Sequence, residues 1–360
     1  MSALADKLAL FNDTLPLERA RTIPADWYFE ADVYQAEMER VFRRTWQALG
    51  CLGDGNYLTG TVADEPVLVT QDRDGALRGF YNVCRHRAAT IMAGAGTATK
   101  LRCRYHGWTY DLAGRLRGTP DFDGVEDFCT ANHGLQPIRA ERFGPLVFLN
   151  LEDSEPRSLT DSLAPLTATM LDGLLFQCRK TFAVPCNWKV FVDNYLDGGY
   201  HVSTIHPGLA QAIDYHHYRT LVFEQTSVQT SPVDSGDALR QGTARYWWVF
   251  PNLMLNLYDG LADTNIVVPR GPDRCEVIFD FYFADTISES ERQRSIAVAE
   301  QIQAEDADIC AEVQQGLHSR SYNTGRFSVK REVAGYHFHR LLVQCLRNDP
   351  ASDVGAGAMI

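Results

Sequence analysis

Cys84-Arg85-His86, sixteen intervening residues, then Cys103-Arg104-Tyr105-His106: this stretch decides how the chain is read. Each half offers one sulfur and one imidazole nitrogen from a short loop. Two thiolates on one iron and two imidazoles on the other are the ligands of one kind of two-iron, two-sulfur cluster. Trading two thiolates for imidazoles removes negative charge and raises the potential, which suits an electron relay. Gly107-Trp108 follows His106, where a close turn and an apolar cover would serve such a site. The same four residues could hold a zinc ion, so a second motif has to decide.

That motif is His201-Val202-Ser203-Thr204-Ile205-His206-Pro207. Five residues apart on a continuous helix, the two histidines would diverge by roughly 140°. A proline pushes the residue before it out of helical geometry. A helix over 188–202 is therefore expected to place His201 in its last turn and His206 just past it. Asp197, four before His201, then shares its face and can fix the ring tautomer. Asn194 lies one turn further up.

The missing ligand should be a carboxylate. A helix over 288–317, opened by Ser288 and Glu291 in a capping-box pattern, offers Glu305, Asp306, Asp308 and Glu312. Its apolar stripe Ala299, Ile302, Ile309, Val313 skips position 306. A lone carboxylate facing the core is costly unless paired or metal-bound. Asp306 is the expected ligand, with Asp308 in reserve. Two histidines and one carboxylate leave positions open for dioxygen. The bland alternative is an ordinary histidine pair at a helix end. A chain with both ligand sets can store an electron and pass it to an oxygen-activating iron, so an oxygenase is expected.

The flanking sequence sets the frame. The 360 residues allow two domains or one large composite. Residues 1–45 read as a helical segment packing on the catalytic domain. Residues 46–150 carry short runs such as Val67–Thr70, Gly79–Val83 and Pro145–Leu151 between turn signals, a small β domain. Residues 152–158 read as a linker within 151–360, which mixes strands (Arg245–Phe250, Leu253–Tyr258, Val277–Phe283) with helix. Gly94-Ala95-Gly96 lacks the third glycine of a nucleotide loop. A net charge of −12 repels polyanions, so no nucleic acid partner is expected. No apolar run approaches the roughly 20 residues of a membrane span. An odd count of nine cysteines without a secretory signal fits a reducing, cytoplasmic setting.

On these motifs the chain resembles the catalytic subunits of the Rieske non-haem iron oxygenases over nearly its full length. It is most similar to the choline monooxygenase branch, through Asp193–Val202, Asp263-Thr264-Asn265, Val313–Leu317 and His337-Phe338-His339. The resemblance implies an α+β fold: a Rieske [2Fe-2S] β-sandwich domain, then a helix-grip (START/Bet v 1-like) antiparallel sheet curled around a long helix. It implies Cys84, His86, Cys103 and His106 as cluster ligands, and His201, His206 and Asp306 as ligands of Fe(II). It implies homotrimers in which one chain's cluster feeds its neighbour's iron through a bridging acid. That acid often stands three before the first iron histidine, where this chain has Gly198. Asp197 takes the role here, with Glu305 as rival. Electrons from NAD(P)H would come through a separate flavin/iron-sulfur reductase or ferredoxin.

The substrate expected from the resemblance is a quaternary or N-methyl amine such as choline, oxidised with O2 to betaine aldehyde. A quaternary ammonium is held by aromatic faces. Tyr246, Trp248 and Phe250 alternate onto one strand face. The candidate pocket residues are Trp248, Phe250, Tyr258 and Leu261. Leu261 stands where the branch tends to place tryptophan, which keeps aromatic-ring hydroxylation and N- or O-demethylation open. A pure electron carrier would need only the first motif, and a helix-grip binding protein neither. Of the other histidines, His133, His216, His217 and His318 read as surface or loop residues, and His337 and His339 as structural.

Overall fold

The computed structural model describes residues 3–234 and 241–348. It divides into two compact units. One is Arg43–Leu159; the other joins the residues up to Phe42 with those from Thr160 on.

The Arg43–Leu159 unit is all β. Runs such as Val67-Leu68-Val69 and Leu146–Asn150 are buried throughout and form inner strands. A seven-stranded antiparallel sheet runs in the order 47–51, 146–150, 137–143, 77–81, 65–71, 57–62, 95–96. A three-stranded sheet (101–102, 109–110, 116–118) stands beside it. The unit's borders lie a few residues outside 46–150. Trp46 Nε1 donates to the Arg157 carbonyl at 2.8 Å, and Asn150 Nδ2 to the Arg44 carbonyl at 3.4 Å. These bonds tie both chain ends into the β unit.

The second unit is built on another seven-stranded antiparallel sheet, ordered 174–184, 275–284, 261–269, 253–258, 241–249, 226–234, 219–222. The strands Leu174–Val184 and Thr226–Asp234 were not read from sequence. Leu174–Val184 is an edge strand carrying Arg179 and Lys180, which masks its alternation. Arg179 is fixed by a two-pronged contact to buried Asp280 opposite, at 2.6 and 2.8 Å. The long helix Glu289–Leu317 starts at Ser288 with the expected capping box. Its buried stripe is Ala299, Gln303, Cys310, Gln314 and Leu317, whereas Val313 is exposed.

Residues 3–42 are less regular than a helical segment. They hold the helix Ala3–Leu8, a 3-10 turn Ala25–Tyr28, and the helix Ala31–Glu37 running into a π-turn Met38–Phe42. They are tied to the rest of that unit by specific bonds. The Ile23 N–H donates to His339 Nδ1 at 3.2 Å, and Trp188 Nε1 donates to Glu37 at 2.8 Å. Lys189 Nζ lies 2.7 Å from Glu37 Oε1, both side chains fully buried. No helix among the described residues is long and apolar enough to cross a membrane.

Candidate metal centres

The two loops of the first motif have the same backbone design. Cys84 N–H bonds to Ala89 O and Ala88 N–H to Cys84 O; Cys103 N–H bonds to Trp108 O and Gly107 N–H to Cys103 O. Each loop turns through a left-handed residue four after its cysteine, Ala88 at φ 58° and Gly107 at φ 74°. Both thiols are buried in a core of Leu68, Phe80, Ile91, Leu101, Trp108 and Tyr110. The His86 ring stacks on Trp108 at 4.9 Å and meets His106 edge-on at 4.5 Å.

This setting fits a cluster on two counts. His86 Nδ1 is buried with no hydrogen-bond partner, a cost a metal would remove. Burial, then the neighbouring His106, lowers the His86 pKa and keeps the imidazole neutral, as a ligand must be. Burial pushes the Cys84 thiol up against the opposing hydrogen bond from Tyr110, and nearby Cys103 adds to the rise. A thiol held up in this way becomes a thiolate beside a cation. Tyr110 Oη lies 3.4 Å from Cys84 Sγ, a contact of the kind that tunes cluster potential.

In the second unit, His201, His206 and Asp306 each bring a ligand atom within 4.8 Å of the others. His201 Nε2 lies 3.1 Å from His206 Nε2, and Asp306 Oδ1 is 3.0 Å from His206 Nε2 and 3.6 Å from His201 Nε2. Donors about 2.1 Å from one ion and near right angles would stand roughly 3 Å apart, so the trio fits a facial metal site. Each histidine has its own carboxylate behind it. Asp197 Oδ2 is 2.6 Å from His201 Nδ1, and Glu305 Oε2 is 2.7 Å from His206 Nδ1. Asn194 Nδ2 donates to Asp306 Oδ1 at 2.7 Å. Burial disfavours the His206 cation, yet Asp306 and Glu305 outweigh it and hold the pKa above its usual value.

The local backbone differs from the expected helix over 188–202. The helix Trp188–Tyr195 stops, and Gly198 and Gly199 both take φ 71° before a short helix Val202–Ile205. Asp197 reaches His201 by closing a turn: its carboxylate accepts the N–H of Tyr200 at 3.0 Å and of His201 at 2.9 Å. His206, at φ −117° and ψ 76°, is off-helix before Pro207. A Cβ on Gly198 would sit 2.2 Å from the Arg331 carbonyl oxygen. The left-handed backbone alone costs a non-glycine residue about 1–2 kcal/mol. Gly198→Ala is thus expected to lower the melting temperature and to loosen His201, read as mononuclear iron lost at unchanged cluster content.

His201, His206 and Asp306 open onto a cavity of about 120 Å3. Its sheet wall carries Tyr246, Asn256, Tyr258, Asp263, Asn265 and Phe279; its helix wall carries Ala299, Ile302, Gln303 and Asp306. Tyr218 stacks parallel to Tyr246 at 6.4 Å, and Tyr258 meets Tyr246 edge-on at 5.9 Å.

Of the candidate pocket residues, Tyr258 lines this cavity, and Trp248, Phe250 and Leu261 do not. Trp248 shares a strand face with Tyr246 but lies beyond the cavity's end. It is fully buried against Phe338 of the helix Val333–Arg347 and donates to the Pro251 carbonyl at 3.2 Å. Phe250 packs on Trp248, and Leu261 is buried in the sheet. Tyr218 and Gln303 were missed. Gln303 had a signal: it is three before Asp306 on the same helix face.

Comparisons with known proteins agree with this geometry. The Rieske [2Fe-2S] domain model matches residues 48–129, and the ring hydroxylating alpha subunit (catalytic domain) model matches 171–348. Choline monooxygenase, chloroplastic, of Arabidopsis thaliana is 36% identical over 95% of this chain and 87% of its own length. The carnitine monooxygenase oxygenase subunit of Escherichia coli (strain K12) is 29% identical over 92% of this chain and 95% of its own. A solved quaternary ammonium Rieske monooxygenase, described for carnitine oxidation and inter-subunit electron transfer, superposes with TM-score 0.85 at 26% identity, covering 92% of this chain and 99% of that one. With both ligand sets folded as described and relatives along nearly its whole length, the chain belongs to the Rieske non-haem iron oxygenases, as a catalytic subunit with a [2Fe-2S] domain, a mononuclear iron site and O2 as co-substrate.

Proposed function

We propose that the protein is the oxygenase component of a monooxygenase for a small quaternary or N-methyl amine, with choline the best candidate. The observation that carries this is the cavity lining. The rings of Tyr218, Tyr246 and Tyr258 line the cavity, and aromatic rings attract a cation. Asp197, Asp263 and Asp306 line the same space, and no Lys or Arg is among its described lining residues. Even with Asp306 committed to a metal, Asp197 and buried Asp263 favour a positive guest. Size agrees: an apolar cavity of roughly 150 Å3 takes up benzene, so about 120 Å3 suits a compact amine better than a fused ring system.

Held by Cys84, His86, Cys103 and His106, the cluster supplies single electrons, and iron held by His201, His206 and Asp306 supplies dioxygen activation. The chain's own residues prepare that site. Asp197 and Glu305 accept the Nδ1 protons of His201 and His206, which turns both Nε2 lone pairs inward. Asn194 fixes the carboxylate of Asp306. Asp197 is the residue we assign as the bridge for electrons from a neighbouring copy in a ring of three. Transfer between copies is supported by the solved relative described for inter-subunit electron transfer; the ring of three and the bridging acid come from the family resemblance. A separate reductase or ferredoxin is the proposed donor.

The test is a single turnover of reduced protein with 18O-labelled dioxygen and choline, carnitine, betaine or simple aromatics. Labelled betaine aldehyde from choline is expected. A hydroxylated aromatic with every amine untouched would overturn the amine reading.

A further inference from the structure

Gln303 is 2% exposed, lines the cavity, and has no hydrogen-bond partner at either Nε2 or Oε1. It stands on the long helix one turn before Asp306, on the same face. Its neighbours on that wall, Ala299 and Ile302, are apolar. Cavity glutamines with a structural duty are bonded to backbone or side chains, as Gln229 is here: its Nε2 donates to the Tyr195 carbonyl at 2.7 Å. A buried carboxamide with both atoms unpaired costs stability and calls for an explanation.

We propose that Gln303 is a specificity-determining residue that reads a hydroxyl group on the substrate. The inference rests on the amine reading above and narrows it to amino alcohols. A carboxamide presents one donor and one acceptor, and a hydroxyl uses both at once. A carboxylate would use only the donor, leave Oε1 unpaired, and meet Asp306 one turn away. A plain alkyl chain would leave both unpaired. The arrangement also orders the guest. The tyrosines on the sheet wall take the ammonium, and Gln303 on the helix wall takes the oxygen end, beside Asp306. A site built to pair a hydroxyl rejects the analogue that lacks it, because its own polar atoms stay unpaired.

The experiment compares choline with ethyltrimethylammonium, which differs only in lacking the hydroxyl, by calorimetric titration of the anaerobic holoenzyme. The parent is expected to bind choline about 10- to 100-fold more tightly than the alkyl analogue. Gln303→Met, similar in shape and without the amide, should lose that preference by weakening choline alone. Its melting temperature without ligand should not fall, since removing an unpaired buried amide is neutral or stabilising. Should Gln303→Met weaken both amines equally, or melt lower, Gln303 is structural and the proposal fails while the amine reading stands. A parent that binds neither compound removes choline as the candidate and overturns the Gln303 assignment with it, while the wider amine reading falls only to the turnover test above. Gln303→Leu, also without the amide, should reproduce the loss of preference; if it keeps the parent's preference, the proposal fails.

Discussion

Asp306→Ala is expected to hold two irons per chain in place of about three, and to turn over no substrate. Two of the three inner donors would remain, His201 Nε2 and His206 Nε2, 3.1 Å apart. Neither imidazole brings a negative charge, so the only anion facing the metal is gone. The loss spreads outward. The Asn194 amide loses the acceptor it bonds at 2.7 Å, and His206 keeps only Glu305 on its far side. The cluster loops lie in the other unit and should keep their iron and their reduced-state spectrum. Iron analysis with a spectrum of the reduced protein reads both at once. An alanine variant with full iron and full turnover would remove Asp306 from the site and leave the role to another acid.

The second large effect is on stability. Lys189→Ala is expected to destabilise the catalytic unit by about 3–5 kcal/mol, because it strands the Glu37 carboxylate. The two charges lie 2.7 Å apart with no exposure. Glu37 is held on its other oxygen by the Trp188 indole N–H at 2.8 Å, so both carboxylate oxygens depend on buried neighbours. Burial pushes the Glu37 carboxyl up and the Lys189 amine down, each toward its neutral form. The Lys189 ammonium also faces the Tyr28 ring at 5.3 Å. Loss of this size corresponds to a melting shift on the order of 10 °C. A double variant with methionine at both positions should recover most of it, since apolar groups of similar volume often replace a buried pair without loss. Equal melting for the single variant and the parent would show the pair to be neutral.

The ligand sets were legible because metal donors repeat at fixed, short spacings whatever surrounds them. Asp197 was legible as the partner of His201, but the cause was not. The sequence suggested one helix face, whereas a glycine turn brings the two together. Trp248 shows a different limit. Alternation gives the face of a strand, and Tyr246 and Trp248 do share one. Only the fold says where along that face the cavity ends, at the cover of Phe338. Gln303 shows a third. A polar residue within a helix reads as solvent-facing until the sheet wall is seen closing over it. The long helix was placed well because its capping box is local and its stripe is long.

The division of the chain sets an order of assembly. The segment up to Phe42 leaves the ribosome well before its partners, which include His339 and Arg347, more than 300 positions later. The β unit, Arg43 to Leu159, has all its strands at hand much earlier and can close while the first forty residues wait. Contacts of such long sequence separation are slow to form. The catalytic unit is therefore sealed last, by its two ends meeting. A nascent chain stopped before the helix Val333–Arg347 would carry a finished electron store beside an unfinished oxygen site.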